Sequence, residues 1–232
     1  MDKTYKELDI EDRRRIDDSI IHAIIVRQDQ PTEDQSSIYT IFERLNTGGV
    51  NLQPQEIRVA LYHGEFVRIL QSLNEDPSWR ALFGAKSRRL KDMELILRFF
   101  AFFYYADKYQ APMKSFLNRY MSTNRHLKKQ PEELLRELFT TTTKVILDGI
   151  GAKAFRPKRA VNAAVVDSLM TGIALRIAAK GSAIKNFKEL NKRFEKLMAD
   201  KTYIDATETG TSQEANVRDR LMKAKNAFVN LS

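Results

Sequence analysis

The stretch MELILRFFAFFYYA, residues 93–106, constrains this chain more than any other. It is apolar almost all round, so as a helix it has no face to offer water and must lie inside a protein core or a membrane. It carries Arg98 and falls well short of the roughly 20 apolar residues that a membrane span requires. A buried helix through the middle of a bundle is therefore expected, with Phe99, Phe100, Phe102 and Phe103 in the core. The rest of the chain has to cover it. At 232 residues, 43% hydrophobic and 30% charged, the chain has the composition of an ordinary soluble globular protein of one or two domains.

The covering material is helical as well. Leu134, Leu135, Leu138, Phe139, Val145 and Ile146 share one face of 132–147. Val161, Val165, Leu169, Ile173 and Ile177 do the same across 158–179, so both segments read as amphipathic helices. Breaks fall at Gly64, at 74–77, at 84–87, and at Ala111 and Pro112. Nearer the start, 8–17 is a short helix, and IIHAIIVRQ at 20–28 is the only stretch whose β-branched content suits a buried strand. After a polar loop, Ser36 or Ser37 can cap a helix carrying Ile38, Ile41, Phe42 and Leu45 and ending near Asn46. Pro54 suits the first turn of the next helix, which runs to about His63. The expected fold is mainly α: an irregular helical bundle with at most one or two short strands near the N-terminus, divided into 1–63 and 64–232.

Little catalytic chemistry is written in the residues. There is no cysteine, which excludes disulfides and thiolate nucleophiles and fits a reducing compartment. His22, His63 and His126 are far apart and belong to no metal-binding pattern, so no metal ligands are assigned. Asp92 and Glu94 stand two positions apart on a helix and face different ways; they read as acids favoured by a helix N-terminus. No Walker A, GxGxxG or GxSxG sequence occurs, and no catalytic residue can be named. The opening MDKTYKELDIEDRRR has no apolar run that could serve as a signal peptide, so the expected location is cytoplasmic, away from membranes.

Charge is distributed unevenly. The formal net charge is +9; residues 1–110 hold 16 Lys/Arg against 18 Asp/Glu, and residues 111–232 hold 23 against 12. Such a basic half suits a polyanionic partner, and equally a general solubility charge. Arg156, Lys158 and Arg159 surround the start of helix 158–179, and Lys185, Lys188, Lys192 and Arg193 recur every three or four residues. These seven are the candidates for contact with a nucleic-acid backbone. A solvated helix face is the alternative.

Residues 42–58, FERLNTGGVNLQPQEIR, place two adjacent glycines between a helix end and a helix start, in a chain with only 9 glycines. Turn amides at Gly48 and Gly49 and the following helix N-terminus can face an anion, with Arg44 supplying charge. The same residues can equally serve only to end one helix and turn the chain into the next.

The pattern Phe-x-Arg-x-Asn, then glycine and a Leu-x-x-x-Glu helix start, resembles a motif of the ParB/sulfiredoxin-like family that includes the GmrS half of GmrSD-type restriction endonucleases. DMELILRFFAFF and GTSQEANVRDRLMKAKNAF resemble the helical continuation of such proteins. The resemblance implies a role in prokaryotic anti-phage defence, with nucleotide hydrolysis coupled to DNA cleavage. It implies that Phe42, Arg44, Asn46, Gly48 and Gly49 line a nucleotide or DNA pocket and that Glu56 supports the helix start. The family's DGQQR signature, which lies upstream of this motif, is absent here, as is an HNH nuclease domain. The implied protein is thus the later portion of such a machine, inactive by itself. A nucleoside triphosphate and Mg²⁺ would bind only together with a DGQQR-containing portion or partner subunit, and DNA would be a further partner. A non-catalytic interaction subunit with a basic docking surface is the competing expectation.

Overall fold

The computed structural model describes residues 4–20, 23, 36–45 and 51–231. The chain separates into two compact units, Met1–Pro31 and Thr32–Ser232. In the first, a short 3₁₀ turn precedes helix α1 (Ile10–Asp17). Asp9 caps α1 by accepting from the Asp12 amide at 2.9 Å, and the Tyr5 hydroxyl donates to Asp17 at 2.7 Å. No residue of α1 is buried.

The second unit holds the other helices: α2 (Ser36–Leu45), α3 (Pro54–Leu61), α4 (Glu65–Leu73), α5 (Pro77–Phe83), α6 (Lys91–Tyr105), α7 (Met113–Asn124), α8 (Glu132–Gly149), α9 (Ala163–Lys180), α10 (Phe187–Met198), α11 (Lys201–Glu208) and α12 (Glu214–Phe228). The fold is mainly α, and among the described residues there is no strand. All of the 20–28 stretch except Ile20 and Ala23 lies outside them. The helices break where glycine, proline and Asn74–Pro77 interrupt the pattern. α3 packs against α6 and α7, so residues 54–61 belong to the same unit as the helices after Gly64.

α6 lies in the core as its composition demands. Phe99, Phe100 and Phe102 are fully buried, while Phe103 is only partly so. Their rings meet Phe66, Phe139 and Phe116 at centroid distances of 5.3–6.2 Å. The longest unbroken buried run, however, belongs to α9, from Ala164 to Ala174. The amphipathic helix expected over 158–179 differs from α9 in two ways. It starts later, because the Asn162 side chain caps it by accepting from the amides of Ala164 (2.9 Å) and Val165 (3.2 Å). It is also covered on nearly every side, packing against α6, α8, α11 and α12. Small residues permit this: a Cβ on Gly172 would stand 2.8 Å from the Ala224 carbonyl carbon, so α9 and α12 meet at backbone distance. No helix among the described residues is long and apolar enough to cross a membrane.

Candidate functional site

α2 and α3 carry the two described ends of the 42–58 stretch. Phe42 is half-buried against the core, and Arg44 is exposed in the last turn of α2. α2 is held by packing on α3 and α7 and by Lys114, which pairs with Glu43 at 3.0 Å and lies 5.6 Å from the Tyr39 ring. Asn46, Gly48 and Gly49 lie outside the described residues. Glu56 accepts from the Gln53 amide at 2.6 Å, closing the first turn of α3, where Pro54 occupies the first position. The same carboxylate pairs with Arg89 at 2.9 Å, and Arg89 also donates to the Asn51 carbonyl at 2.5 Å. One arginine therefore ties the end of the motif loop to the start of α6.

Arg58, the last residue of the stretch, turns inward and is 1% exposed. Its Nε donates to Asn118 Oδ1 at 2.7 Å, and its Nη1 donates to Gln55 Oε1 at 3.1 Å and to Glu94 Oε2 at 2.9 Å. Asp92, two residues before Glu94, is fully buried. It accepts from Asn74, Arg80 and the Ser87 amide at 3.0–3.1 Å, which anchors α6 to α4 and α5. Both acids near the α6 N-terminus thus have specific partners as well as the helix dipole.

Between the start of α3, the end of α5, α6 and the start of α9 runs a cleft of about 370 Å³. Its polar lining is Gln53, Gln55, Arg89, Lys91, Glu94 and Arg98, and Phe83 and Val161 supply apolar wall. Leu90, between two of the cationic residues, has φ 54°. That left-handed conformation costs a non-glycine residue about 1–3 kcal/mol. Arg98 grips Asp167 of α9 with Nε at 2.9 Å and Nη2 at 2.6 Å, and Arg220 of α12 donates to the same Asp167 oxygen at 2.9 Å. Burial depresses the Arg98 pKa, but the Asp167 charge and its hydrogen bonds outweigh this and hold the pKa above its ordinary value. Arg89, Lys91, Asp167 and Arg220 escaped the sequence reading, and Arg98 figured in it only as a charge within the apolar run. The available signal was the 91, 94, 98 spacing of charged positions on an otherwise apolar helix.

The basic residues of the second half separate into two sets. Arg156 donates to the carbonyls of Leu82, Phe83 and Ala152 and so clamps the end of α5. Lys158 pairs with Glu208 at 2.7 Å. Arg193 pairs with Glu189 at 2.9 Å and donates to the Ala227 carbonyl at 3.1 Å, joining α10 to the end of α12. Arg159, Lys185, Lys188 and Lys192 are exposed and make no ion pair among the described residues. On α10 the positions that continue the Lys188–Lys192 spacing lead to Lys196, not to Arg193.

Among the described residues no group of three or more His, Asp or Glu is placed to hold a metal ion. Comparison with family models, with curated proteins and with solved structures gives no match to this chain.

Proposed function

We propose that this chain is the helical part of a GmrS-like prokaryotic anti-phage defence protein. In this reading it contributes to nucleotide-dependent DNA restriction by binding DNA and by forming one wall of a nucleotide pocket. The observation that carries the reading is the double use of Glu56. The glutamate of the resembling motif both closes the α3 helix start and, through Arg89, holds the Asn51 backbone beside a basic cleft. Phe42, Arg44, Asn46, Gly48 and Gly49 then contribute the wall, and a DGQQR-containing portion supplies the rest. Arg44 neutralises and orients phosphate oxygens from the end of α2. The residues present suit the phosphate part of a nucleotide, whereas Mg²⁺ would arrive with the nucleotide and be held by groups from the DGQQR portion. Arg159, Lys185, Lys188 and Lys192 make the sequence-independent contacts to DNA.

Calorimetry with a nucleoside triphosphate and Mg²⁺ tests this on three proteins: the chain alone, the chain joined to a DGQQR-containing portion, and the joined form carrying Arg44→Ala. Arg44-dependent binding should appear only in the joined form and be lost in the variant, which should stay folded by circular dichroism. Equal affinity of the joined form with and without Arg44 would make the arginine structural and the loop a turn, leaving the interaction-subunit reading.

A further inference from the structure

The charges along the inner wall of the cleft do not cancel. Arg58 is matched by Glu94 and Arg89 by Glu56, each at 2.9 Å. Asp167 must serve two guanidiniums, Arg98 at 2.6 Å and Arg220 at 2.9 Å. Asp167 and Arg220 are fully buried and the Arg98 side chain is 12% exposed, so the triad keeps one positive charge out of water. Burying an unmatched charge is among the least favourable things a core can do. Arg98 is the member of the triad that lines the cleft. Lys91, exposed on the same lining, makes no ion pair among the described residues and adds a second positive charge.

Gln55 gives an independent observation. It lines the cleft at 1% exposure; its Oε1 is taken by Arg58, and its Nε2 has no hydrogen-bond partner. A buried amide donor left in this way calls for an acceptor. The positive end of α9 adds to the field, because Ala163, its first residue, lines the same cleft.

We infer that the cleft binds a small phosphorylated anion on this chain alone, held by Arg98, Lys91 and Gln55. Two positive charges without an acidic partner of their own favour a dianion or more over a monocarboxylate. A phosphoryl group also presents several oxygens to a guanidinium, an ammonium and an amide at once. The volume of about 370 Å³ is that of a small-molecule site. This inference does not depend on the Arg44 pocket.

The test is calorimetry of the full chain with pyrophosphate and with ATP, without Mg²⁺, at constant low ionic strength. Lys91→Ala, an exposed change, should weaken pyrophosphate about tenfold, the loss of one charge-assisted hydrogen bond. Gln55→Glu keeps an acceptor for Arg58 and puts a carboxylate in the cleft, and should weaken binding about a hundredfold or more. Lys128→Ala should leave it unchanged. ATP binding tighter than pyrophosphate would identify the source as a nucleotide; equal affinity would identify free polyphosphate. No heat with either probe, or unchanged affinity in both Lys91→Ala and Gln55→Glu, would overturn the inference, and so would displacement of pyrophosphate by duplex DNA. Should Gln55→Glu not fold, Lys91→Ala decides alone. Failure here leaves the Arg44 test of the joined form intact, and failure there leaves this one intact.

Discussion

Replacing Asp167 by asparagine removes the single negative charge that two arginines share, with almost no change of volume. Asp167 accepts three hydrogen bonds, at 2.9 and 2.6 Å from Arg98 and 2.9 Å from Arg220. At an effective dielectric of about 20, each unit-charge pair some 4 Å apart contributes about 4 kcal/mol. Relaxation and water entry reduce the observable loss, and removing one partner of a buried ion pair costs about 3–5 kcal/mol. Arg220→Met acts on the same triad in the opposite sense. It leaves Arg98 and Asp167 as a balanced pair and relieves the repulsion between the guanidiniums. Its cost is the hydrogen bonds to Asp167 and to the Thr211 carbonyl and the contact over the Phe102 ring. Net of the relieved repulsion, those losses amount to about 1–2 kcal/mol. Urea unfolding followed by circular dichroism at neutral pH should therefore rank Asp167→Asn as the costlier variant by about 2 kcal/mol. Against a total of about 5–15 kcal/mol, both proteins remain folded enough to measure. If Arg220→Met costs as much as Asp167→Asn, the triad is not carrying a surplus positive charge and the reasoning fails.

Two further outcomes can be checked with the same protein. Burial pushes the Tyr203 phenol up to about 12, partly offset by its hydrogen bond with Ser168 at 2.8 Å. The unfolded chain ionises this group near pH 10 and the folded chain near 12, so its contribution is fully present below about pH 10 and is lost as pH rises towards 12, about 2–3 kcal/mol at most. Urea midpoints between pH 9 and 11 should fall less steeply in Tyr203→Phe, and an unchanged slope would remove the assignment. For duplex DNA, fluorescence anisotropy across a salt series should show weaker binding for the Lys188→Ala/Lys192→Ala double variant, with the log K against log salt slope reduced by about 2. Arg193→Ala should chiefly lower stability, since its partners are Glu189 and a backbone carbonyl; salt-insensitive wild-type binding would refute the backbone reading.

The helices and their breaks were legible because period and punctuation are local properties. Pro54, Gly64 and Pro77 stop or start helices by backbone restrictions that act within a few residues. The depth of α9 was not legible in the same way. Its burial follows from small residues such as Gly172 meeting Ala224, a contact fixed by α12 some fifty positions later and invisible to any apolar stripe. The sequence also suggested an earlier start for this helix, and a single Asn162 cap decides otherwise. At the candidate site, Glu56 stood out through its position in a helix-start pattern. Its partner Arg89 did not, and neither did the triad, whose members are separated by 53 and 69 positions. The seven basic candidates were chosen by spacing, which cannot tell a solvated lysine from Arg156 clamped on the carbonyls of Leu82 and Phe83.

What links these observations is the mixed character of α6. Phe99, Phe100 and Phe102 bury its other faces, while Lys91, Glu94 and Arg98 follow one another at helical spacing and open one side to the cleft. Stability alone does not call for that stripe. A well-packed apolar residue at the Arg98, Asp167 and Arg220 positions would serve the core at least as well, because burying an ion pair or triad seldom gains what its desolvation costs. The left-handed Leu90 between Arg89 and Lys91, and the unpartnered Gln55 amide, add further cost at the same place. Strain, an unmatched charge and an unfilled donor thus converge around one cleft. A fold optimised only to hide MELILRFFAFFYYA would have spread such costs or removed them. Their coincidence at a cleft is the physical reason for proposing that the site binds a ligand, whereas the phenylalanines behind it serve the core.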